Sequence, residues 1–123
     1  MFTHINFQSI GVTDQDRALA FYRDKLGLTV HTDVPYEQFG RWIFLQIAGA
    51  RTMIHFGKRE TEEKSDMPDL VLVTEDVDAT CETLKSRGVT IHKGPDAAPW
   101  NPGTRWAMIH DTENNLILIQ TVS

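Results

Sequence analysis

Two short segments carry the side chains best suited to binding chemistry. Residues 41–47 read RWIFLQI and residues 105–110 read RWAMIH, and in a β-strand alternate residues of each segment would face the same side. One side is aliphatic and suits packing against a helix; it carries Ile43, Leu45, Ile47, Ala107 and Ile109. The other side combines large rings with a few polar groups, which gives a small-molecule pocket its area and orientation; it carries Trp42, Phe44, Gln46, Trp106, Met108 and His110. A packed core or a dimer interface would use the same residue types.

Neighbouring residues favour packing and surface roles over catalysis. Arg41 and Arg105 alternate away from their tryptophans, so we expect salt bridges at the rim, with a clamp for a carboxylated ligand as the alternative. Trp100, in the segment GPDAAPWNPG, can cover a pocket or brace its loop. Cys81 has the apolar spacing of a helix, which predicts a buried packing residue. The sequence has no glycine-rich phosphate loop and no GxSxG, CxxC or HExxH motif.

A repeat organises the elements that must position these residues. VTDQDRALAFYRDKLGLTVH, residues 12–31, returns as VTEDVDATCETLKSRGVTIH, residues 73–92. Each copy predicts the end of a strand, an acidic residue suited to an N-cap, an amphipathic helix, a terminating glycine and a β-branched strand. In the first copy the helix is expected to run to Leu26. Two more strands follow in each half.

The repeat therefore predicts an α+β chain of two tandem βαβββ modules. We assign residues 1–123 to one domain, with module one at residues 1–57, a polar linker at residues 58–68 and module two at residues 69–123. One such module cannot bury both faces of its sheet by itself, so two copies are expected to pack together or against another chain.

Composition excludes several classes of partner. Twelve basic and seventeen acidic residues give a formal charge of −5, which argues against nucleic acid and anionic membrane surfaces. No apolar run reaches the length of a membrane span, and no signal peptide is recognisable. The single cysteine fits a reducing compartment, so we expect a cytoplasmic protein.

Two phrases within the repeat identify a family resemblance. FYRDKLG, residues 21–27, and DTENN, residues 111–115, together with the duplication, resemble the vicinal oxygen chelate superfamily of glyoxalases, bleomycin resistance proteins and extradiol dioxygenases. In the second phrase Thr112 and Asn114 replace the proline and glycine of the family motif. The resemblance implies an eight-stranded open barrel around a cavity, with helices on its convex side, commonly as a homodimer. In the family's enzymes a divalent metal in the cavity binds two neighbouring substrate oxygens.

This sequence departs from the metal ligands that the resemblance implies. Phe7 stands where the family has its first histidine, and Leu118 stands where it has the glutamate of the last strand. The ligand that opens the second module falls on Asp69, or on Pro68 if the repeat offset holds through the strand. His55 alone retains a good ligand type at its position. Phenylalanine and leucine cannot coordinate a metal ion, which predicts that the usual site is missing.

The remaining histidines offer one spare ligand. His4 would face the wrong side of its strand, and His31 and His92 are expected to face solvent or cap a helix. His110 precedes the last turn on a strand expected to line the cavity. A rebuilt site would use His55, Asp69 and His110 with Mn, Ni, Zn or Fe.

The leading prediction is a metal-free protein that binds or sequesters a small apolar or aromatic molecule. The predicted binding residues are Phe7, Trp42, Phe44, Gln46, His55, Trp100, Trp106, Met108 and His110. The alternatives are a metal-dependent lyase or dioxygenase with the rebuilt ligand set, and a protein whose cavity is vestigial and whose dimer is the functional unit.

Overall fold

The computed structural model describes residues 1–36, 40–61 and 66–122. The chain divides into two compact units, Met1–Glu62 and Glu63–Ser123. Each unit contains a strand, a helical segment and three further strands in chain order, the predicted βαβββ module. Of the predicted linker, residues 62–65 lie outside the described residues, and so do residues 37–39 of the first module.

The first unit is a four-stranded sheet with one helical segment. Its strand order is β1-β4-β3-β2, with β1 parallel to β4 and the other neighbours antiparallel. Its elements are β1 (Phe7–Val12), α1 (Gln15–Ala20), a π-helical turn (Phe21–Lys25), β2 (Thr29–Tyr36), β3 (Gly40–Gln46) and β4 (Met53–Lys58).

The second unit repeats this topology. Its strand order is β5-β8-β7-β6, again with a parallel pair, β5 and β8, at one edge. Its elements are β5 (Leu70–Val73), α2 (Val77–Ser86), β6 (Lys93–Ala97), β7 (Arg105–His110) and β8 (Leu116–Gln120).

Both helices begin at an aspartate. The side chain of Asp14 accepts a hydrogen bond from the Arg17 amide at 3.0 Å, and Asp76 accepts one from Ala79 at 3.0 Å. The cap of the second helix thus lies one residue beyond Glu75, the residue that matches Asp14 in the repeat, because the Asp76 carboxylate at the extended cap position reaches the amide three residues ahead. The first helix also differs from the prediction, since it changes to a π-helical turn after Ala20.

One face of each sheet, which we call the helix face, holds the aliphatic core. In the first unit it carries the fully buried Val12, Ile43, Leu45 and Phe56, and the Tyr22 ring lies 5.6 Å from that of Phe56. In the second unit Ala107, Ile109 and Ile117 are fully buried, and so is Cys81 of α2. Burial raises the pKa of the Cys81 thiol, which fits the predicted packing role. Ile47 was predicted for this face but lies beyond β3 and is exposed.

The phrase DTENN forms a turn built on one carboxylate. Asp111 Oδ1 accepts hydrogen bonds from the amides of Glu113 and Asn115 at 2.8 and 2.9 Å, and Oδ2 accepts one from Asn115 Nδ2 at 2.9 Å. Asn114 has φ 63°, a left-handed conformation that asparagine tolerates better than most residues. Asn114 therefore adopts a left-handed turn conformation at the position where the family motif has glycine.

Candidate functional site

Four predicted residues meet on the side of the first sheet that faces away from the helix, which we call the opposite face. The Phe44 ring lies 5.0 Å from Phe7, 5.4 Å from Trp42 and 5.0 Å from the His55 imidazole. His55 is also 4.5 Å from Trp42 and 5.3 Å from Phe7. We call Phe7, Trp42, Phe44 and His55 the aromatic cluster. Its rings come from β1, β3 and β4, so the sheet register fixes their spacing.

His55 is the polar centre of this cluster. Only 8% of the residue is exposed. Its Nδ1 lies 2.9 Å from the hydroxyl of Ser9, its partner in the parallel β1–β4 ladder. Among the described residues its buried Nε2 has no hydrogen-bond partner. Burial lowers the pKa of His55 below its usual value of 6.5, which favours the neutral imidazole at neutral pH.

The equivalent positions of the second sheet are aliphatic. Leu118 of β8 pairs with Val71 on one side and Met108 on the other, as His55 pairs with Ser9 and Phe44. Val71 is half exposed and Met108 and Leu118 are partly buried. This face therefore offers apolar area without a central polar atom.

Aromatic groups flank that apolar area. The Trp106 ring lies 6.3 Å from Trp100, and its Nε1 donates to the Ala97 carbonyl at 3.2 Å. Trp100 is 55% exposed. The His110 ring lies 4.5 Å from His92. His92 was expected to face solvent; it is exposed, yet it contacts a predicted site residue through this ring pair.

Three other predicted residues are occupied by structural contacts. The Gln46 amide donates to the Ala50 carbonyl at 3.2 Å, which braces the turn between β3 and β4. Arg41 forms ion pairs with Asp16 and Asp33, and Arg105 forms one with Asp78 at 2.8 Å. The predicted salt bridges of both arginines are thus present, each to the first turn of its module's helix.

A polar pocket of about 540 Å³ lies elsewhere in the first unit, near the start of α1. Gln15, Arg41 and Lys58 are among its lining residues. The Gln15 amide already pairs with the backbone of Arg41, accepting from its N–H at 3.1 Å and donating to its carbonyl at 2.6 Å. Because Arg41 projects to the helix face, this pocket is separate from the aromatic cluster. Gln15 is engaged with the backbone of Arg41, and Lys58 forms an ion pair with Glu60 at 3.4 Å.

Sequence reasoning missed Ser9 and Tyr36. Ser9 follows Phe7 by two residues, so strand alternation alone could have placed it on the same face. Tyr36 extends the cluster, with its ring 5.2 Å from Trp42. Its position in a strand could have been predicted, but its contact depends on the pairing of β2 with β3.

The residues present do not fit the divalent metal of the family's enzymes. Phe7 and Leu118 offer no donor atom, and the Asp69 carboxylate accepts a hydrogen bond from the Leu116 amide at 2.9 Å. Within residues 1–36, 40–61 and 66–122, no group of three His, Cys, Asp or Glu side chains is arranged to hold a metal ion.

Comparison with known proteins identifies the family. The model of the glyoxalase/bleomycin resistance protein/dioxygenase superfamily matches residues 2–119. The chain therefore belongs to this superfamily, and the predicted α+β fold class is confirmed. In the part of the chain that the structure describes, no helix has the length and apolar character to cross a membrane.

Individual relatives cover nearly the whole chain. The uncharacterized protein YurT of Bacillus subtilis (strain 168) is 33% identical over 90% of this chain and 93% of its own. The crystal structure of TnmS3, an antibiotic binding protein from Streptomyces sp. CB03234, is 31% identical with a TM-score of 0.82, covering 99% of this chain and 98% of its own. A glyoxalase/bleomycin resistance protein from the same organism is 33% identical with a TM-score of 0.76, covering 94% and 98%.

Proposed function

We propose that this protein binds and sequesters a small, partly aromatic molecule without using a metal ion. The observation that carries the proposal is the aromatic cluster, in which three hydrocarbon or indole rings surround one buried imidazole. The similarity to TnmS3, which is described as an antibiotic binding protein, supports a binding role. In this proposal the protein acts in the cytoplasm, as its single cysteine predicts, and forms a homodimer, as the family resemblance predicts.

Binding would combine apolar burial with stacking. Burying apolar surface contributes roughly 25 cal/mol per Å², and a well-placed aromatic pair adds about 0.5–1.5 kcal/mol. Phe7 exposes 37% of its surface and Trp42 is partly exposed, so both rings can receive a ligand ring.

The experiment is a titration of tag-free protein with 9-fluorenone, a planar aromatic ketone, followed by tryptophan fluorescence and by equilibrium dialysis. We expect saturable binding that chelator leaves unchanged. Phe7→Leu and Trp42→Leu should each weaken binding on the order of tenfold, which corresponds to about 1.4 kcal/mol. Phe2→Leu is the matched control, because Phe2 is 95% exposed.

Two results would contradict the proposal. One is the absence of saturable binding to the wild-type protein. The other is binding that chelator abolishes and Mn, Ni, Zn or Fe restores, together with stoichiometric metal that is lost on His55→Ala. That second result would favour the metal-dependent lyase or dioxygenase.

A further inference from the structure

The Nε2 atom of His55 is a buried polar atom that the fold leaves without a partner. The residue is 92% buried, since 8% of it is exposed. Three aromatic rings lie within 5.3 Å of the imidazole centroid. Buried nitrogen atoms in native proteins nearly always have a hydrogen-bond partner, because water cannot replace the one they lack. The missing hydrogen-bond partner of Nε2 therefore calls for a physical explanation.

The other ring nitrogen is already committed. Nδ1 faces the Ser9 hydroxyl at 2.9 Å, and a hydroxyl can either donate or accept that bond. If Ser9 donates, the neutral ring carries its proton on Nε2 and can donate to a carbonyl oxygen. If Ser9 accepts, Nε2 is free of hydrogen and can accept from a phenolic hydroxyl. Ser9 thus lets Nε2 match either kind of oxygen.

The second module shows that the fold itself does not require a histidine here. Leu118 occupies the same register between Val71 and Met108, and it leaves no polar atom unpaired. A leucine or a phenylalanine at position 55 would leave no unpartnered polar atom in the buried centre of the cluster, and the exposed Ser9 hydroxyl could bond to water. A ligand that completes the bond is a sufficient reason for the histidine.

We propose that His55 Nε2 is the hydrogen-bonding point for an oxygen atom of the ligand, so that the protein selects planar aromatic ketones and phenols over aromatic hydrocarbons of the same shape. The proposal rests on the proposed function, because it specifies the ligand of the same aromatic cluster. His55 is a specificity residue in this scheme, and the surrounding rings supply the stacking.

Access to Nε2 requires one ring of the cluster to give way. Phe7 lies on β1, an edge strand of its sheet, and exposes 37% of its surface. Trp42 is also partly exposed, whereas Phe44 is buried, with 8% of it exposed. In this scheme the ring of Phe7 or Trp42 turns aside and stacks on the ligand ring, which leaves room for the ligand oxygen at Nε2.

The test compares 9-fluorenone with fluorene, which has the same planar outline but a CH₂ group in place of the carbonyl. Equilibrium dialysis gives the two Kd values for each variant. The readout is the ratio of these values, since differences in water solubility cancel between variants. We expect His55→Phe to reduce the preference for fluorenone on the order of tenfold, the effect of one lost hydrogen bond. His31→Phe, which changes an exposed histidine of the same module, should leave the ratio at the wild-type value.

Stability separates this role from a structural one. His55→Phe removes the unpartnered Nε2 and also the Nδ1 bond to Ser9, whose exposed hydroxyl can bond to water instead. The Tm of the ligand-free variant should therefore stay close to that of the wild type. His55→Leu, which introduces the residue type found at Leu118 in the second module, is a second variant for the case in which phenylalanine does not fit at position 55. A lost preference with an intact Tm in either variant supports the proposal.

The failures are distinguishable. An unchanged ratio in both His55 variants would overturn the role of Nε2 and leave the proposed function standing. If neither fluorene nor fluorenone binds the wild-type protein, the proposed function fails as well. A fall in Tm in both variants with an unchanged ratio would mean that His55 serves the fold alone.

Discussion

In the first sheet His55 lies between Ser9 and Phe44, and in the second sheet Leu118 lies between Val71 and Met108. The strand order, the parallel edge pair and the aspartate-capped helix are the same in both units. The difference that bears on binding lies on the face that turns away from the helix. The two modules share one scaffold, and the first places a buried imidazole where the second has a leucine.

The largest effects should come from the helix face, where the two modules ought to behave alike. Phe56 follows His55 on β4, and Ile119 follows Leu118 on β8. Their exposed fractions are 0% and 3%. Phe56→Ala should lower the free energy of unfolding by about 3–5 kcal/mol and Ile119→Ala by about 2–5 kcal/mol, through lost burial and cavity formation. Urea unfolding measures both.

Phe7→Ala is the control for this pair, because its side chain lies on the opposite face and is partly exposed. Its cost should be clearly smaller than that of Phe56→Ala. The comparison breaks down if one of the two core variants is as stable as the wild type, since the modules would then not share an equivalent core.

An intermediate effect should appear in the pH dependence of stability, and it should come from His55, which has leucine as its counterpart in the second module. Burial lowers the folded-state pKa of His55, so below about pH 6.5 the unfolded chain takes up a proton that the folded chain resists. Wild-type stability contributed by this residue should therefore fall as the pH drops below about 6.5, and stay level above it.

The difference in urea midpoint between wild type and His55→Leu isolates this contribution. As the pH is lowered from about 8 to about 5, the urea midpoint of the variant should rise relative to that of the wild type. Leu118→Ala serves as the control, since no titrating group is removed. A difference that is constant across the range would show that the imidazole is no harder to protonate in the folded chain than in the unfolded one.

The smallest effects should come from the duplicated arginines. Arg41 has two carboxylate partners, Asp16 and Asp33, whereas Arg105 pairs with Asp78, and the Arg105 side chain is 41% exposed against 29% for Arg41. Exposed ion pairs contribute little because water screens them. Arg41→Gln should lower the Tm slightly and Arg105→Gln hardly at all, and added salt should narrow the gap. An Arg105→Gln variant less stable than Arg41→Gln would reverse this part of the comparison.

Much of the fold could be predicted because its determinants are local. The aspartate caps, the terminating glycines and the alternation in β3 and β7 are all visible within a few residues. The prediction failed at the end of a strand, where the local pattern does not show that the strand stops. Ile47 continues the alternation of β3, but its carbonyl accepts a hydrogen bond from the Ala50 amide at 2.9 Å and a turn begins there.

The site was harder because it depends on pairing between distant strands. Counting from Asp14 drew attention to Phe7, yet the side chain that bonds to His55 is Ser9, 46 residues away in the chain. Register between β1 and β4 is set by the whole sheet, and a shift of two residues keeps the same face. The face could therefore be predicted, whereas the individual contact could not.

Cys81, the one thiol of the chain, lies fully buried in α2. Its sulfur can react with a labelling reagent only when the second unit opens, because burial both shields it and disfavours the thiolate. Trp42 belongs to the first unit, whereas Trp100 and Trp106 belong to the second. In a variant with phenylalanine in place of Trp100 and Trp106, indole emission would report on the first unit and thiol labelling on the second. Comparing the two rates would show whether the two halves open together or in turn.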